Sequence, residues 1–164
     1  MKAHFTMFAA YNAWANRRLY QACSEMDDAD RRKDVGGFFG SLFGGLNHLI
    51  CTDQVWMRRF TGTGPAPTSL SDVPFEGFEE LRTARIALDA RMAEYIATLS
   101  ERDIERSFSY TSITLPDPIT QPLGTVLAHL FNHQTHHRGQ CHHMLTAAGH
   151  DAPPLDLMFF KLET

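Results

Sequence analysis

Four segments of the sequence place apolar residues at the spacing of an α-helix, and this pattern constrains the fold more than any other feature. In the first segment, residues 5–26, the apolar stripe also carries Asn12 and Asn16. The other three cover residues 39–60, 75–99 and 122–149. A helix with one apolar face must bury that face against another element. The pattern therefore predicts an all-α protein, a four-helix bundle in one domain spanning residues 1–164.

The connections between these segments are of two kinds. Residues 61–74 are dense in Gly, Pro and Ser and predict a loop. Residues 106–115 carry enough β-branched and aromatic side chains for an irregular segment or a short strand, which the prolines at positions 116 and 118 are expected to break. The third helical segment places Asp89 outside its apolar stripe. The sequence LDLMFFKLE is expected to form a short closing segment.

Composition excludes several classes of function. A net charge of −4 provides no basic field for nucleic acid. No apolar run approaches the roughly 20 residues that span a bilayer, and the N-terminus has no signal pattern. The three cysteines are far apart and form no CxxC pair, which argues against a disulfide framework or a thiolate zinc site. We expect a cytoplasmic protein that binds neither nucleic acid nor membranes.

Histidines are concentrated in the fourth helical segment, where LFNHQTHHRGQCHH holds five of the chain's nine. Each helical residue turns the chain by about 100°, so positions four apart point the same way. His142 is predicted on the opposite side and His143 at the margin. Four imidazoles share the sector predicted to face the core: His129, His133, His136 and His137.

Two imidazoles at positions i and i+4 can bind one divalent cation, because their ring nitrogens converge on it. The alternative is a set of core histidines, each hydrogen-bonded to a carbonyl or hydroxyl. Four inward imidazoles without a common partner would leave several donors and acceptors to satisfy, at about 1–3 kcal/mol each. The pattern therefore favours a metal, and imidazole ligands suit zinc, nickel, iron or copper.

Polar residues on two other helical segments are candidates for the same site. His48 lies beside Gly44 and Gly45, whose small size leaves space either for a closely packed helix or for an open coordination position and a substrate. Taken alone, His48 is more often a core histidine than a ligand. Asn12 and Asn16 either brace neighbouring groups or hydrogen-bond a ligand or the residues around it.

Four stretches of the chain match a known family in order. YNAWANRRLY, GGLNHLICTDQVWMRRF, LAHLFNHQTHHRGQ and LDLMFF together resemble the DinB superfamily of bacterial proteins, and HHRGQ preceded by NH is the most specific element. The resemblance implies a DinB/YfiT-like bundle, usually a homodimer, with one divalent metal ion per chain. It implies His48, His133 and His137 as the ligands, with zinc or nickel expected before iron or copper.

The resemblance also suggests which residues surround the metal. His129, His136 and Gln140 are expected beside the ligands or lining the pocket, together with Asn12 and Asn16. Arg138 belongs to the motif but points away from the metal face, which indicates a structural or interfacial role. The same side of the helix carries three apolar residues, so it is either central to the bundle or part of the expected homodimer interface: Leu127, Phe131 and Leu145.

Relatives in the superfamily perform different reactions, so three functions remain open. In the first, the metal activates a low-molecular-weight thiol, which attacks a small electrophilic substrate in detoxification or stress response. In the second, the protein hydrolyses a small molecule with water activated by the metal. In the third, it is a metal-binding stress protein without turnover. No carboxylate is predicted beside the histidines, since Asp53 lies round the second helix and Asp156 in the tail; this favours thiol transfer slightly.

Overall fold

Four long helices form the body of the protein in a computed structural model that describes residues 1–65, 67–70, 72–113 and 115–164. They are α1 (Lys2–Ser24), α3 (Leu42–Thr61), α4 (Phe78–Thr98) and α6 (Leu123–Ala147). Short helices occupy Asp28–Arg32 (α2), Glu101–Glu105 (α5) and Leu157–Glu163 (α7). The predicted all-α bundle and its closing segment are confirmed, whereas α2 and α5 were not anticipated. No helix of the described part is long and apolar enough to cross a bilayer.

The ends of α3 have local causes. The Ser41 hydroxyl accepts a hydrogen bond from the Gly44 amide at 3.1 Å and so caps the first turn. At the other end, Gly62 adopts a left-handed conformation, with φ of 73°, and donates its amide to the Arg58 carbonyl. A serine before the apolar run and a glycine after it therefore fix the length of the helix that carries His48.

The segment between α5 and α6 contains an antiparallel hairpin of strands β1 (Ser107–Thr111) and β2 (Pro118–Pro122). The predicted short strand is confirmed. Pro118 was expected to break the strand structure, but it begins β2 and pairs opposite Thr111. Proline is tolerated at the end of an edge strand, where its missing N–H removes no interior ladder bond.

Helix α6 is buried on more than one side because it packs against both α1 and α3. Leu127, Phe131 and Leu145, which suggested a second apolar face, are all less than 5 % exposed within one chain. Their burial answers the question left open by the sequence: this side is central to the bundle. The predicted homodimer therefore rests on the family resemblance alone.

A buried ionic network connects α3, α4 and α6. The Arg85 guanidinium donates to the Asp53 carboxylate at 2.7 Å and lies 2.9 Å from the Asp89 carboxylate. The Gln134 amide donates to the other Asp53 oxygen at 2.5 Å. Burial raises the pKa of Asp53 to about 6, and the nearby Arg85 charge opposes that rise. Asp89 was predicted outside the apolar stripe, but it is only 7 % exposed. The groups of the network, rather than water, bind its carboxylate.

The same network reaches α1 through two asparagines. Asn12 and Asn16 each donate to Asp89 at 3.1 Å. Their amide oxygens accept hydrogen bonds from Arg138, at 2.6 and 3.1 Å respectively. Arg138 is 2 % exposed and therefore has a structural role inside the chain. Polar side chains from all four long helices thus meet in the interior.

Gly44 and Gly45 permit close packing around α3. A Cβ at Gly45 would lie 2.8 Å from the Cys141 sulfur on α6, and one at Gly44 would meet the Phe39 carbonyl oxygen. The sequence left two explanations for these small residues, close packing or space for a metal and its substrate. The structure shows close packing.

Gly44→Ala is expected to destabilise the fold, although alanine favours helix by about 1 kcal/mol over glycine. The clash involves backbone, which cannot rotate away as a side chain can, so we expect a net loss of about 1–2 kcal/mol. Urea unfolding measures it. Gly139→Ala on α6, where a Cβ would meet nothing within 4 Å, is the matched control and should be neutral or stabilising. Equal effects at the two positions would contradict the packing explanation.

Candidate metal centre

Three histidines from two helices converge on one point. His48 comes from α3, and His133 and His137 lie one turn apart on α6. One ring nitrogen from each lies within 4.8 Å of the others. The ring centroids of His137 are 4.5 Å from His48 and 4.3 Å from His133. This group can hold a metal ion.

Hydrogen bonds at Nδ1 fix the orientation of the His48 and His137 rings. The His48 Nδ1 lies 3.0 Å from the Leu70 carbonyl, and the His137 Nδ1 lies 2.7 Å from the Gln140 amide oxygen. Both partners are acceptors, so each Nδ1 carries the proton and each Nε2 keeps a free lone pair. The Phe39 ring also stacks on His48, with centroids 4.0 Å apart. Histidines that bind metals are commonly oriented in this way.

Two ring nitrogens of the group have unmet hydrogen-bonding capacity. His48 Nε2 and His133 Nδ1 are buried and have no hydrogen-bond partner among the described residues. A buried polar atom without a partner costs about 1–3 kcal/mol. A cation between the rings would use a lone pair of His48 that the fold leaves unpaired. The donor set and its surroundings therefore fit a divalent metal.

The electrostatics keep the three imidazoles neutral. Burial lowers the pKa of His133 to about 3, with further lowering from His137 and His48. The pKa values of His48 and His137 are also lowered, in both cases chiefly by burial; the Leu70 carbonyl and Gln140 partly oppose this. A neutral imidazole is the form that binds metal, so the fold prepares all three rings as ligands at neutral pH.

Metal affinity is expected to change little between pH 7.5 and 6.5 and to fall below that range. Protons compete with metal for imidazole nitrogens, and the lowered pKa values of His48, His133 and His137 move that competition below the ordinary histidine value of about 6.5. Equilibrium dialysis against zinc at pH 7.5, 6.5, 5.5 and 4.5 would measure it. Most of the loss occurring above pH 6.5 would contradict the lowered pKa values, and constant affinity down to pH 4.5 would contradict imidazole ligation.

His129 and His136 lie at the rim of the site. His129 and His136 were predicted to face the core, but both are exposed. The interior side of α6 is instead the side of Gln134 and Arg138, because α1 and α3 both pack there. His129 stays close, with its ring centroid 5.7 Å from that of His133.

Gln140 contacts two histidines. Its amide oxygen accepts from His137, while its amide nitrogen lies 3.3 Å from the His136 Nε2. His142 points elsewhere: its Nε2 is 3.0 Å from the Pro153 carbonyl. A glutamine three residues after a histidine on a helix was the sequence signal for the first contact.

Asn12 and Asn16 are not beside the three histidines. Their predicted place around the metal differs from the structure, in which their amides bind Asp89 and Arg138. A buried side-chain amide needs an acceptor for its N–H groups and a donor for its oxygen. The ionic network offers both, a carboxylate and a guanidinium.

Two contacts of the site were not predicted from the sequence. Phe39 precedes α3 and covers His48, and Leu70 belongs to the loop between α3 and α4. Leu70 acts through its backbone carbonyl, which leaves no signature in the side-chain pattern. Phe39 was assigned to the helix itself rather than to the turn before it.

Two comparisons relate the chain to known proteins. The sequence model described as the DinB family matches residues 1–164. The chain is 28% identical over 163 residues to the protein named Protein DinB from Bacillus subtilis (strain 168), covering 94% of this chain and 91% of that protein.

Proposed function

The chain belongs to the DinB family, and on this premise we propose that it is a metal-dependent enzyme that transfers a low-molecular-weight thiol to a small electrophile. In this proposal His48, His133 and His137 bind one divalent metal per chain. The reaction would serve detoxification or a stress response. Zinc and nickel are the first candidates for the metal, and imidazole nitrogens also suit iron and copper.

One observation carries the proposal: three imidazoles bring one ring nitrogen each to within 4.8 Å of the others. A metal bound there would act as a Lewis acid and favour the thiolate form of a bound thiol. The Leu70 carbonyl and Gln140 hold the rings of His48 and His137 in the ligating orientation. Phe39 shields one face of His48 from water. These contacts orient the imidazoles that would hold the metal.

The surroundings of the three histidines favour a thiol over water as the nucleophile. The group that can hold the metal contains no carboxylate. Asp53 is completely buried and already paired with Arg85 and Gln134. Asp156 is exposed at the start of α7. Activating water usually requires a base to take the proton, whereas a thiol needs less help because its ordinary pKa is only about 8.5.

A panel of thiols tests the proposal. Tag-free protein, metal-free or loaded with zinc or nickel, is mixed with glutathione, bacillithiol or mycothiol and 1-chloro-2,4-dinitrobenzene as the electrophile. We expect metal-dependent thioether formation with at least one thiol, lost in His133→Ala and kept in His142→Ala. No turnover with any thiol would overturn the proposal. Metal-dependent hydrolysis of 4-nitrophenyl acetate in the same samples would then indicate a hydrolase, and bound metal with neither reaction a metal-binding protein.

A further inference from the structure

A cavity of about 370 Å³ lies between α1 and α4, and none of its lining residues belongs to the histidine group. Ligand sites usually enclose about 300–1,000 Å³. The walls are formed mainly by small and aliphatic residues, among them Ala13, Ile86, Ala90 and Ala93. Ile86, which is 62 % exposed, extends this apolar wall to the surface. The cavity has the size and the walls of a site for a small organic molecule.

The charged groups of this cavity leave a positive excess at its rim. Asp89 is compensated by Arg85 and by two asparagine amides. Among the described residues, Arg82 approaches only Glu79, at 3.8 Å, and that carboxylate is mostly exposed. Exposed pairs of this kind contribute little. Arg17 is exposed and makes no ion pair or hydrogen bond with a described residue. Two guanidinium groups therefore remain available for an anion.

We propose that this cavity binds a small amphipathic carboxylate, with its ring or chain against the alanines and Ile86 and its carboxylate between Arg17 and Arg82. The volume is about two and a half times that of the roughly 150 Å³ cavity that holds benzene. A ligand with two fused rings or a ring and a short chain therefore fits. The site is distinct from the candidate metal centre.

A second copy of the chain is the main alternative occupant, and the charges oppose it. A twofold contact brings the same surface patch together from both partners. With the twofold axis through the cavity, Arg17 and Arg82 of both copies would place four cations around one small cavity. Like charges in contact destabilise such an interface, whereas a carboxylate compensates them.

Binding of 2-naphthoate to the metal-free protein tests the proposal, with titration calorimetry as the measurement. We expect saturable 1:1 binding that weakens as salt is added and is weaker for the uncharged analogue 2-naphthalenemethanol. Arg17→Gln with Arg82→Gln should raise the Kd about fivefold, in line with two exposed charge contacts. Lys33→Gln with Arg102→Gln changes the net charge equally, away from the cavity, and should leave the Kd unchanged.

A cavity-filling variant locates the site. Ala90→Phe should abolish 2-naphthoate binding, whereas Ala87→Phe, on the exposed side of the same helix and outside the lining, should not. His133→Ala should bind 2-naphthoate as the wild type does. Binding lost in His133→Ala, kept in Ala90→Phe, or undetectable at millimolar 2-naphthoate would overturn the proposal. So would a dimer in light scattering that Ala90→Phe converts to monomer, since the cavity would then be an interface between copies.

Discussion

Replacing His133 with alanine is expected to remove the metal from the purified protein. His133 supplies one of only three imidazoles, and its ring is in contact with both others, at centroid distances of 5.5 Å to His48 and 4.3 Å to His137. Loss of a group that merely orients a ligand costs about 10–100-fold in affinity. Loss of a ligand should exceed that, so we expect a drop of more than about 100-fold. Elemental analysis of tag-free protein should change from about one metal per chain to nearly none.

His142→Ala is the matched control for this experiment. It removes an imidazole from the same helix, but one whose Nε2 faces the Pro153 carbonyl rather than the group of three. Metal content should stay at the wild-type value. Gln140→Ala should lie between the two, because it frees the His137 ring without removing it. Full metal retention in His133→Ala would exclude the proposed ligand set.

The sequence predicted the parts of the site that depend on the spacing of residues along one helix. His133 and His137 share a face because positions four apart lie close in angle on a helix. Which face of α6 points inward could not be determined in the same way. The helix is apolar on two sides, and only the packing of α1 and α3 shows that the side of Arg138, rather than that of His129, is the more deeply buried.

Contacts between distant segments were the hardest to predict. His48 is brought to α6 by tertiary packing, and the resemblance to a family, rather than periodicity, identified it as a ligand. The Leu70 carbonyl that orients it is a backbone group in an irregular loop. Asp89 was placed outside the apolar stripe because a charge was assumed to face water. The spacing of Arg85 and Asp89 by one helical turn was the available signal that the two could neutralise each other.

Breaking the buried ionic network should have the largest effect on stability. Arg85→Met removes the guanidinium between Asp53 and Asp89 and leaves the carboxylate of Asp53 with 0 % exposure and no cation beside it. Removing one partner of a buried ion pair costs about 3–5 kcal/mol. We expect a loss of that size in the free energy of unfolding, measured in urea at pH 7. Arg82→Met, one turn away on the same helix and paired only at the surface, should cost less than about 1 kcal/mol.

The pH dependence of the variant distinguishes a charge effect from lost packing. Burial already raises the pKa of Asp53 to about 6, and Arg85 is the main group that opposes this rise. Without Arg85 the folded-state pKa rises further above the unfolded value of about 3.9. A carboxyl with a raised pKa is destabilising above its folded pKa and recovers as pH falls, because the folded state takes up the proton first. The deficit of Arg85→Met should therefore shrink between pH 7 and pH 5, and adding Asp53→Asn should remove much of it at pH 7. A deficit that is constant with pH would indicate lost packing instead.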